Sequence, residues 1–229
     1  MGPVALDQCD REIDRERPAV KIDFKKTLDA YSARHNTFRT LVVPPLTYLM
    51  IDGRGDPNTA PEYAEAIGAL YPVAYALKFA SKNTLDRDYV VMPLEALWWA
   101  ENMASFTTER DKNKWNWTAM IMVPDWIDRS MFEVAKASAD ARSHSDASSS
   151  IRLETLDEGL CVQTLHIGSY DDETPVLDEL HHRYIPSSGL TMTGRHHEIY
   201  LSDARRVEPA KLRTILRQPV AHSAESASL

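Results

Sequence analysis

The pattern of apolar residues predicts β-structure near residue 40. The segment RTLVVPPLTYLMIDGRGDPN is strongly apolar, and Pro44 and Pro45 within it predict a bulge or a strand start, because proline cannot donate to a strand ladder. A Gly-Asp-Pro sequence closes the segment and predicts a turn.

Helical periodicity follows that turn. Thr59 and Glu62 have the spacing of a capping box, which marks the start of a helix. Apolar residues then recur three or four positions apart, at Tyr63, Ile67, Leu70, Ala74 and Leu77. Pro72 predicts a kink or a break in this helix. Strands are predicted at about 88–99 and 115–123, so the first half has the order strand, helix, strand, strand.

The second half repeats this order after a helix at about 125–142 and a stretch rich in Ser and Ala at 141–150, which has the composition of a linker. The elements predicted beyond it are a strand at 160–168, a helix opened by Thr174 and Pro175, a strand through Glu198 and a last strand at RTILRQPV.

The repeated order predicts an α+β fold made of two fused βαββ units, at about 41–123 and 158–219. The charged residues 1–20 and the small polar tail 221–229 are expected to be flexible, so the folded domain spans 21–220. A cleft at the boundary of the two units is the natural ligand site.

Composition and charge favour small-molecule ligands. The chain has 229 residues, 43% of them hydrophobic, and a net charge of −8. No block of Lys and Arg could neutralise a run of phosphates, so direct nucleic-acid binding is not expected. Cys9 and Cys161 lack metal-ligand spacing and are interpreted as free thiols in a reducing compartment. Because no signal peptide or membrane-spanning stretch is evident, we expect a cytoplasmic protein without membrane contact.

The segment GRHHEIYLSD carries the strongest candidate for chemistry. Glu198 and Tyr200 lie two positions apart in a predicted strand, so they share one face. A carboxylate that faces an apolar interior is costly unless it has a partner or a task. In the alternative interpretation, Glu198 pairs with Arg195 or a backbone amide and Tyr200 is a core residue. The residues alone leave both alternatives open.

The segment VVMPLEALWW has a similar outline, with Glu95 followed by two tryptophans. By strand parity Trp99, and not Trp98, shares the face of Glu95. Both tryptophans are candidates for ligand stacking, although burial in the core is the commoner fate of large aromatic residues.

Further aromatic candidates lie on the first helix and the next strand. Tyr71 and Tyr75 share a helix face, and Tyr63 lies two turns earlier. Such a stripe is more often packing than a binding site. Trp117 shares a strand face with Trp115, and core and pocket positions are equally plausible for the pair.

His166 precedes the turn that carries Tyr170 and is a candidate for a polar group at the pocket mouth. In the alternative interpretation it is a hydrogen-bonded histidine at the end of a strand. The histidine pairs at 181–182 and 196–197 lack the spacing of metal ligands, so no metal site is predicted. The sequence shows no Ser or Cys nucleophile elbow, phosphate-binding loop or dinucleotide fingerprint, and no cofactor is predicted.

Several segments resemble the GyrI-like small-molecule-binding family. LHIGSYDDETPVLDEL and GRHHEIYLSD are similar to the second half of that family, across a likeness that covers roughly 21–220. YPVAYALKF, DYVVMPLEALWW and ILRQPV resemble a stand-alone branch in which some members are cyclopropanoid cyclopropyl hydrolases. The resemblance implies a duplicated βαββ (SHS2-type) fold, a pocket between the repeats and an aromatic cage. It also assigns the family's pocket glutamate to Glu198 and its pocket tyrosine to Tyr200.

Two functions follow from this resemblance. The first is binding of planar, apolar or weakly cationic xenobiotics with hydrolysis of a strained cyclopropane ring, in which Glu198 activates water. Tyr200, Tyr170 or His166 would then donate to the developing oxyanion. The second is binding without catalysis, as a drug-sequestering protein or a sensor that acts with a partner. Family members also occur in transcription regulators, but no helix-turn-helix segment is evident before residue 40. The oligomeric state is left open.

Overall fold

The computed structural model describes residues 20–101, 112–141 and 146–223. Its strands are β1 (Arg39–Val43), β2 (Leu46–Arg54), β3 (Glu95–Trp99), β4 (Asn116–Val123), β5 (Arg152–Leu156), β6 (Gly159–Ile167), β7 (Leu190–Met192), β8 (His196–Tyr200) and β9 (Arg213–His222). Its α-helices are α1 (Phe24–Thr27), α2 (Pro61–Leu85), α3 (Arg129–Asp140), α4 (Thr174–Asp178) and α5 (Ile185–Ser187). Most of the two terminal segments that were predicted to be flexible lies outside the described residues.

One large antiparallel sheet organises these elements. The strand order is β1-β6-β9-β8-β3-β4-β2-β5, and β7 pairs with β9. The predicted α+β class is confirmed by this sheet with its few helices.

The two predicted units meet at the centre of the sheet, where β3 pairs with β8. On one side of this pair lie β4 and β2, and on the other lie β9 and β6. Two strands cross between the halves, because β1 pairs with β6 and β5 pairs with β2. Superposition of the two units stays a prediction.

Helix α2 is continuous through Pro72. A proline at this position removes one hydrogen bond, to the carbonyl of Gly68, without ending the helix. The expected capping box is wrong, because Ala60 is the N-cap and Pro61 begins the helix. Proline suits the first helical position, where its missing N–H has no helical partner to lose.

The segment 170–187 forms a compound helical wall. A 3-10 turn, Tyr170–Glu173, leads into α4, and a π-helical stretch, Glu179–Tyr184, connects α4 to α5. The predicted helix start at Thr174 and Pro175 is confirmed. π-helical turns are rare and are frequently found at functional sites.

The two faces of the sheet have different covers. Helix α2 and the helical wall lie over the face that carries Trp98 and Glu198. The opposite face carries Glu95, which is covered by the segment that contains Tyr31. Within the described ranges, none of the helices has the length and apolar character needed to cross a bilayer.

Candidate functional site

A cavity of about 1030 Å³ opens between α2 and the helical wall. Its floor is formed by side chains of β3 and β8, the two strands at the centre of the sheet. The volume suits a drug-sized molecule, since ligand sites in proteins measure about 300–1,000 Å³.

The register of β3 and β8 decides which side chains reach this cavity. Glu198 pairs with Ala96, and His196 pairs with Trp98, so these residues share one face of the sheet. Tyr200 lies two positions after Glu198 and points to the same face. Glu198 is 9% exposed and lines the cavity together with Trp98 and Tyr200.

A hydrogen-bonded chain joins the polar atoms of the floor. The indole Nε1–H of Trp98 donates to the hydroxyl oxygen of Tyr200 over 3.1 Å. Tyr200 in turn donates its hydrogen to Glu198 Oε2 over 2.7 Å. Burial, with the charge of Glu198 added, raises the pKa of Tyr200 well above its usual value. Tyr200 therefore stays protonated and fixes the orientation of the carboxylate.

Aromatic rings surround this chain. The ring centroid of Tyr63 lies 5.7 Å from that of Trp98. The ring centroid of Trp115 lies 5.6 Å from that of Trp98, and the two rings meet edge-on with an interplanar angle of 68°. Tyr170 packs edge-on against Tyr200 at 5.5 Å. All five rings line the cavity, namely Tyr63, Trp98, Trp115, Tyr170 and Tyr200. The sequence did not decide whether Trp115 is a core or a pocket residue, and the structure places it at the cavity. Such walls stack well on flat apolar molecules.

Tyr71 and Tyr75 continue the aromatic wall toward solvent. Their ring centroids are 6.4 Å apart, and Tyr75 is 48% exposed. Both residues line the cavity from α2, one and two helical turns beyond Ile67. The helix stripe therefore has a mixed role, because Leu70 and Leu77 on the other side of α2 are buried in the core.

Glu95 lies away from the cavity, although it was expected at the ligand site and at a position related to Glu198. Because Ala96 pairs with Glu198, Glu95 points to the opposite face of the sheet. Its carboxylate is fully buried and accepts a hydrogen bond of 2.6 Å from Tyr31.

Trp99, Trp117 and His166 were also predicted to contact the ligand, but they lie outside the cavity lining. Trp99 shares the face of Glu95, as parity predicted, and its ring lies 3.6 Å under the guanidinium carbon of Arg195. Trp117 is 1% exposed and packs against Gly53, where a Cβ atom would come within 2.1 Å of the indole ring.

His166 is buried beside the turn that follows β6. Its Nε2 lies 3.0 Å from the carbonyl oxygen of Ser169. Gly168, with φ of +151°, lets the backbone turn here, since a Cβ atom would lie 3.0 Å from His166 Nε2. The histidine thus holds the turn that places Tyr170, and does not itself line the cavity.

A buried charge network occupies the sheet face behind Glu198. His197 lies 3.0 Å from Glu95 and 3.0 Å from Glu158, each measured from a ring nitrogen to a carboxylate oxygen. Arg217 donates to Glu158 over 2.8 Å and also to the carbonyl of Ala30. This network ties both halves of the sheet to the N-terminal segment.

The network sets the charges of its members. Burial alone would lower the pKa of His197, but the charge of Glu158 and bonds to Glu158 and Glu95 raise it. Burial alone would raise the pKa of Glu158, but the charges and hydrogen bonds of His197 and Arg217 lower it to about 2. His197 and Glu158 therefore each favour the charged form of the other.

The sequence did not reveal the cavity residues of the helical wall, which include the buried Glu173 and His181. Glu173 is 3% exposed and His181 is 4% exposed. No periodicity marked them, because the wall combines 3-10, α and π turns and so lacks a constant repeat. The π-helical turn marks this segment in the structure, but no sequence pattern predicts such a turn.

His181, which lines the cavity, and the neighbouring His196 are neutral at physiological pH. Burial, followed by the neighbouring His182, lowers the pKa of His181 to about 4. Burial also lowers the pKa of His196, whose ring lies 5.4 Å from that of His181. His196 Nε2 is 3.7 Å from Glu198 Oε1. The negative charge of Glu198 is thus not neutralised by these imidazoles. Among the described residues, no group of three His, Cys, Asp or Glu side chains could hold a metal ion.

Solved structures share this architecture. A conserved protein of Listeria innocua is 37% identical, with a TM-score of 0.79, over 88% of this chain and all of that one. Two structures described as hydrolases from Listeria innocua are 35% and 36% identical, with TM-scores of 0.76 and 0.78 and the same coverage. Among curated protein sequences, none matches this chain significantly.

The family comparison agrees with the structure. Residues 37–221 match the family described as the GyrI-like small molecule binding domain. This match covers nearly all of the sheet and both helical elements that border the cavity. The chain therefore belongs to the GyrI-like small-molecule-binding family.

Proposed function

We propose that this protein binds planar, apolar or weakly cationic xenobiotics in the aromatic cavity and hydrolyses a strained cyclopropane ring in them. The observation that carries the proposal is the carboxylate of Glu198, held by Tyr200 at 2.7 Å on the floor of a cavity with aromatic walls. The hydrolase descriptions of two relatives that are 35% and 36% identical support a catalytic role.

The reaction is the addition of water to a cyclopropane conjugated to a carbonyl group. The water oxygen bonds to the ring methylene while Glu198 accepts a proton from that water. One ring carbon–carbon bond breaks, and its electron pair moves through the conjugated system to the carbonyl oxygen. Protonation of that oxygen completes a product that has gained one water.

The polar groups divide this work. Tyr200 donates its hydrogen to Glu198 Oε2 and so orients the carboxylate, whose Oε1 lies 3.7 Å from His196 Nε2. Glu198 is the group that accepts the proton from water in this scheme. Tyr170 is the best placed donor for the developing oxyanion, because its ring packs on Tyr200 and lines the cavity. Since His166 lies outside the cavity lining, it is no longer proposed as a donor.

The aromatic rings have two tasks in this scheme. Trp98, Trp115 and Tyr63 stack on the flat ligand, which provides affinity without hydrogen-bond specificity. They also exclude bulk water, so that a water bound at Glu198 would be the one that reacts. Tyr71 and Tyr75 extend the contact surface to the mouth.

The test is incubation of the purified protein with a cyclopropapyrroloindole compound, followed by mass spectrometry. We expect the compound to gain the mass of one water much faster than it does in buffer. Tight binding with no gain of water would instead support the second function, a sequestering protein or a sensor that acts with a partner. A location in the cytoplasm and the absence of direct nucleic-acid contact remain predictions.

A further inference from the structure

Glu173 is a second carboxylate of the cavity that the scheme above does not use. It lies at the end of the 3-10 turn that begins with Tyr170, is 3% exposed, and lines the cavity. In a 3-10 turn, side chains three positions apart eclipse one another, so Glu173 lies on the same side as Tyr170.

Glu173 acts electrostatically on the two phenols that lie beside Glu198 in the cavity. Burial, followed by the charges of Glu173 and Glu198, raises the pKa of Tyr170 to about 12. Glu173 also contributes to the raised pKa of Tyr200. The two carboxylates therefore act on the same two phenols, one from the floor and one from the helical wall.

The proposed reaction lacks a proton donor of adequate strength. Tyr170 can donate a hydrogen bond to an oxyanion, but a phenol with a pKa of about 12 is a weak acid at neutral pH. Enzymes that break a bond by adding water often use two carboxyl groups, one as base and one as acid. Glu173 is buried and lines the same cavity as Glu198. Burial of a carboxyl group and a nearby carboxylate both favour the protonated form, which is the form that a general acid needs.

We propose that Glu173 is the general acid of the site and Glu198 is its base, an inference that rests on the proposed hydrolysis. As the ring carbon–carbon bond breaks, the carbonyl oxygen takes the proton of Glu173. Glu198 meanwhile holds the proton taken from water. Transfer of one proton from Glu198 to Glu173 through solvent restores the starting state.

Charged and titratable groups surround Glu173 on several elements. The charged and titratable residues that line the cavity with it are Lys25, Tyr63, Tyr71, Tyr75, Lys112, Tyr170, Asp178, His181, His182, Glu198, Tyr200, Asp203, Arg205 and Arg206. Lys112 donates to Asp171 over 3.1 Å. Glu173 thus lines the cavity together with the two phenols Tyr170 and Tyr200 and with His181, whose pKa is lowered to about 4 by burial.

The test compares single-turnover rates of the wild-type protein, Glu173→Gln and Glu173→Asp on one electrophilic cyclopropane substrate across pH 4–9. Glutamine keeps the shape but cannot supply a proton, so the rate should fall by about 10²-fold while ligand affinity changes little. The wild-type rate should decline at high pH, where the acid is lost, and Glu173→Gln should lack this decline. Aspartate should recover part of the rate.

Glu179→Gln is the matched control, because Glu179 lies on the same wall with a solvent-exposed side chain paired to Arg183. It should leave rate and pH profile unchanged. A Glu173→Gln protein with the wild-type rate, or a slower one that keeps the high-pH decline, overturns the acid role while hydrolysis itself stands. A wild-type protein that shows no turnover overturns both proposals.

Discussion

The indole Nε1–H of Trp98 donates to the hydroxyl oxygen of Tyr200 over 3.1 Å and so joins β3 to β8 at the floor of the cavity. Each strand belongs to a different half of the chain, and their pairing is the centre of the sheet. Because Tyr200 donates its own hydrogen bond to Glu198, the position of the carboxylate depends on residues from both halves.

Removal of the Tyr200 hydroxyl should break both hydrogen bonds of the Trp98–Tyr200–Glu198 series. In Tyr200→Phe the Trp98 N–H loses its acceptor and Glu198 loses its donor, so the free energy of unfolding should fall by about 1–3 kcal/mol. Urea titration measures the change. Tyr75→Phe, which removes a hydroxyl from a half-exposed ring at the mouth, is the control and should have little effect. Equal losses in the two variants would contradict the account.

The adjacent tryptophans offer a matched pair for ligand binding. Trp98 lines the cavity, whereas Trp99 points to the other face and packs under Arg195. Trp98→Ala should weaken the binding of a planar ligand by about 1–3 kcal/mol, because a stacking surface is lost. Trp99→Ala should leave affinity unchanged. Calorimetric titration decides, and the reverse order of effects would place the ligand elsewhere.

Glu158 should be a major contributor to stability. Glu158→Gln leaves His197 and Arg217 without their shared carboxylate, and loss of one partner of a buried ion pair costs about 3–5 kcal/mol. Glu208→Gln breaks a surface pair with Lys211 and should cost less than about 1 kcal/mol. Chemical denaturation compares them.

Glu158 also predicts how the wild-type protein responds to acid. Its folded pKa of about 2 is below the ordinary value of 4.5, so its contribution to stability is present above pH 4.5. That contribution is lost as the pH falls toward 2. A wild-type protein with the same acid sensitivity as Glu158→Gln would show that the network contributes nothing.

His197 predicts a loss of stability at alkaline pH. Its folded pKa is raised above the ordinary 6.5 by the two carboxylates, so its contribution is complete below pH 6.5. It is lost as the pH rises through the folded pKa. Urea midpoints measured from pH 5 to 9 should decline in the wild type, and His197→Gln should remove this decline. An unchanged decline in the variant would assign it to other groups.

The order of elements could be predicted from periodicity, because the apolar spacing and the proline signals act locally. The predicted helix over Tyr63 to Leu77 and the strand through Glu198 are both present. The start of β3 was less predictable, since residues 88–94, which were predicted to belong to it, form no strand and contain only an isolated bridge at Tyr89. The local sequence does not predict which residues pair with a neighbouring strand, because that pairing depends on segments distant in the sequence.

The candidate site was only partly predictable. Strand parity placed Glu198 and Tyr200 on one face, and it also placed Glu95 and Trp99 together. Parity cannot state which face the helices cover, and for this reason Glu95 and Trp99 were assigned to the cavity in error. Glu173 was missed because its side chain reaches the cavity through a 3-10 turn, which apolar spacing does not reveal.

The central claim is that Glu198 is the base that activates water. The most direct test is the single-turnover rate of the wild-type protein and Glu198→Gln on one electrophilic cyclopropane substrate across pH 4–8. Glutamine keeps the shape and the oxygen that Tyr200 bonds but loses basicity, so the rate should fall by about 10²–10⁴ with little change in affinity. The wild-type rate should also decline with acid as the carboxylate is protonated. Equal rates for the two proteins at every pH would contradict the claim.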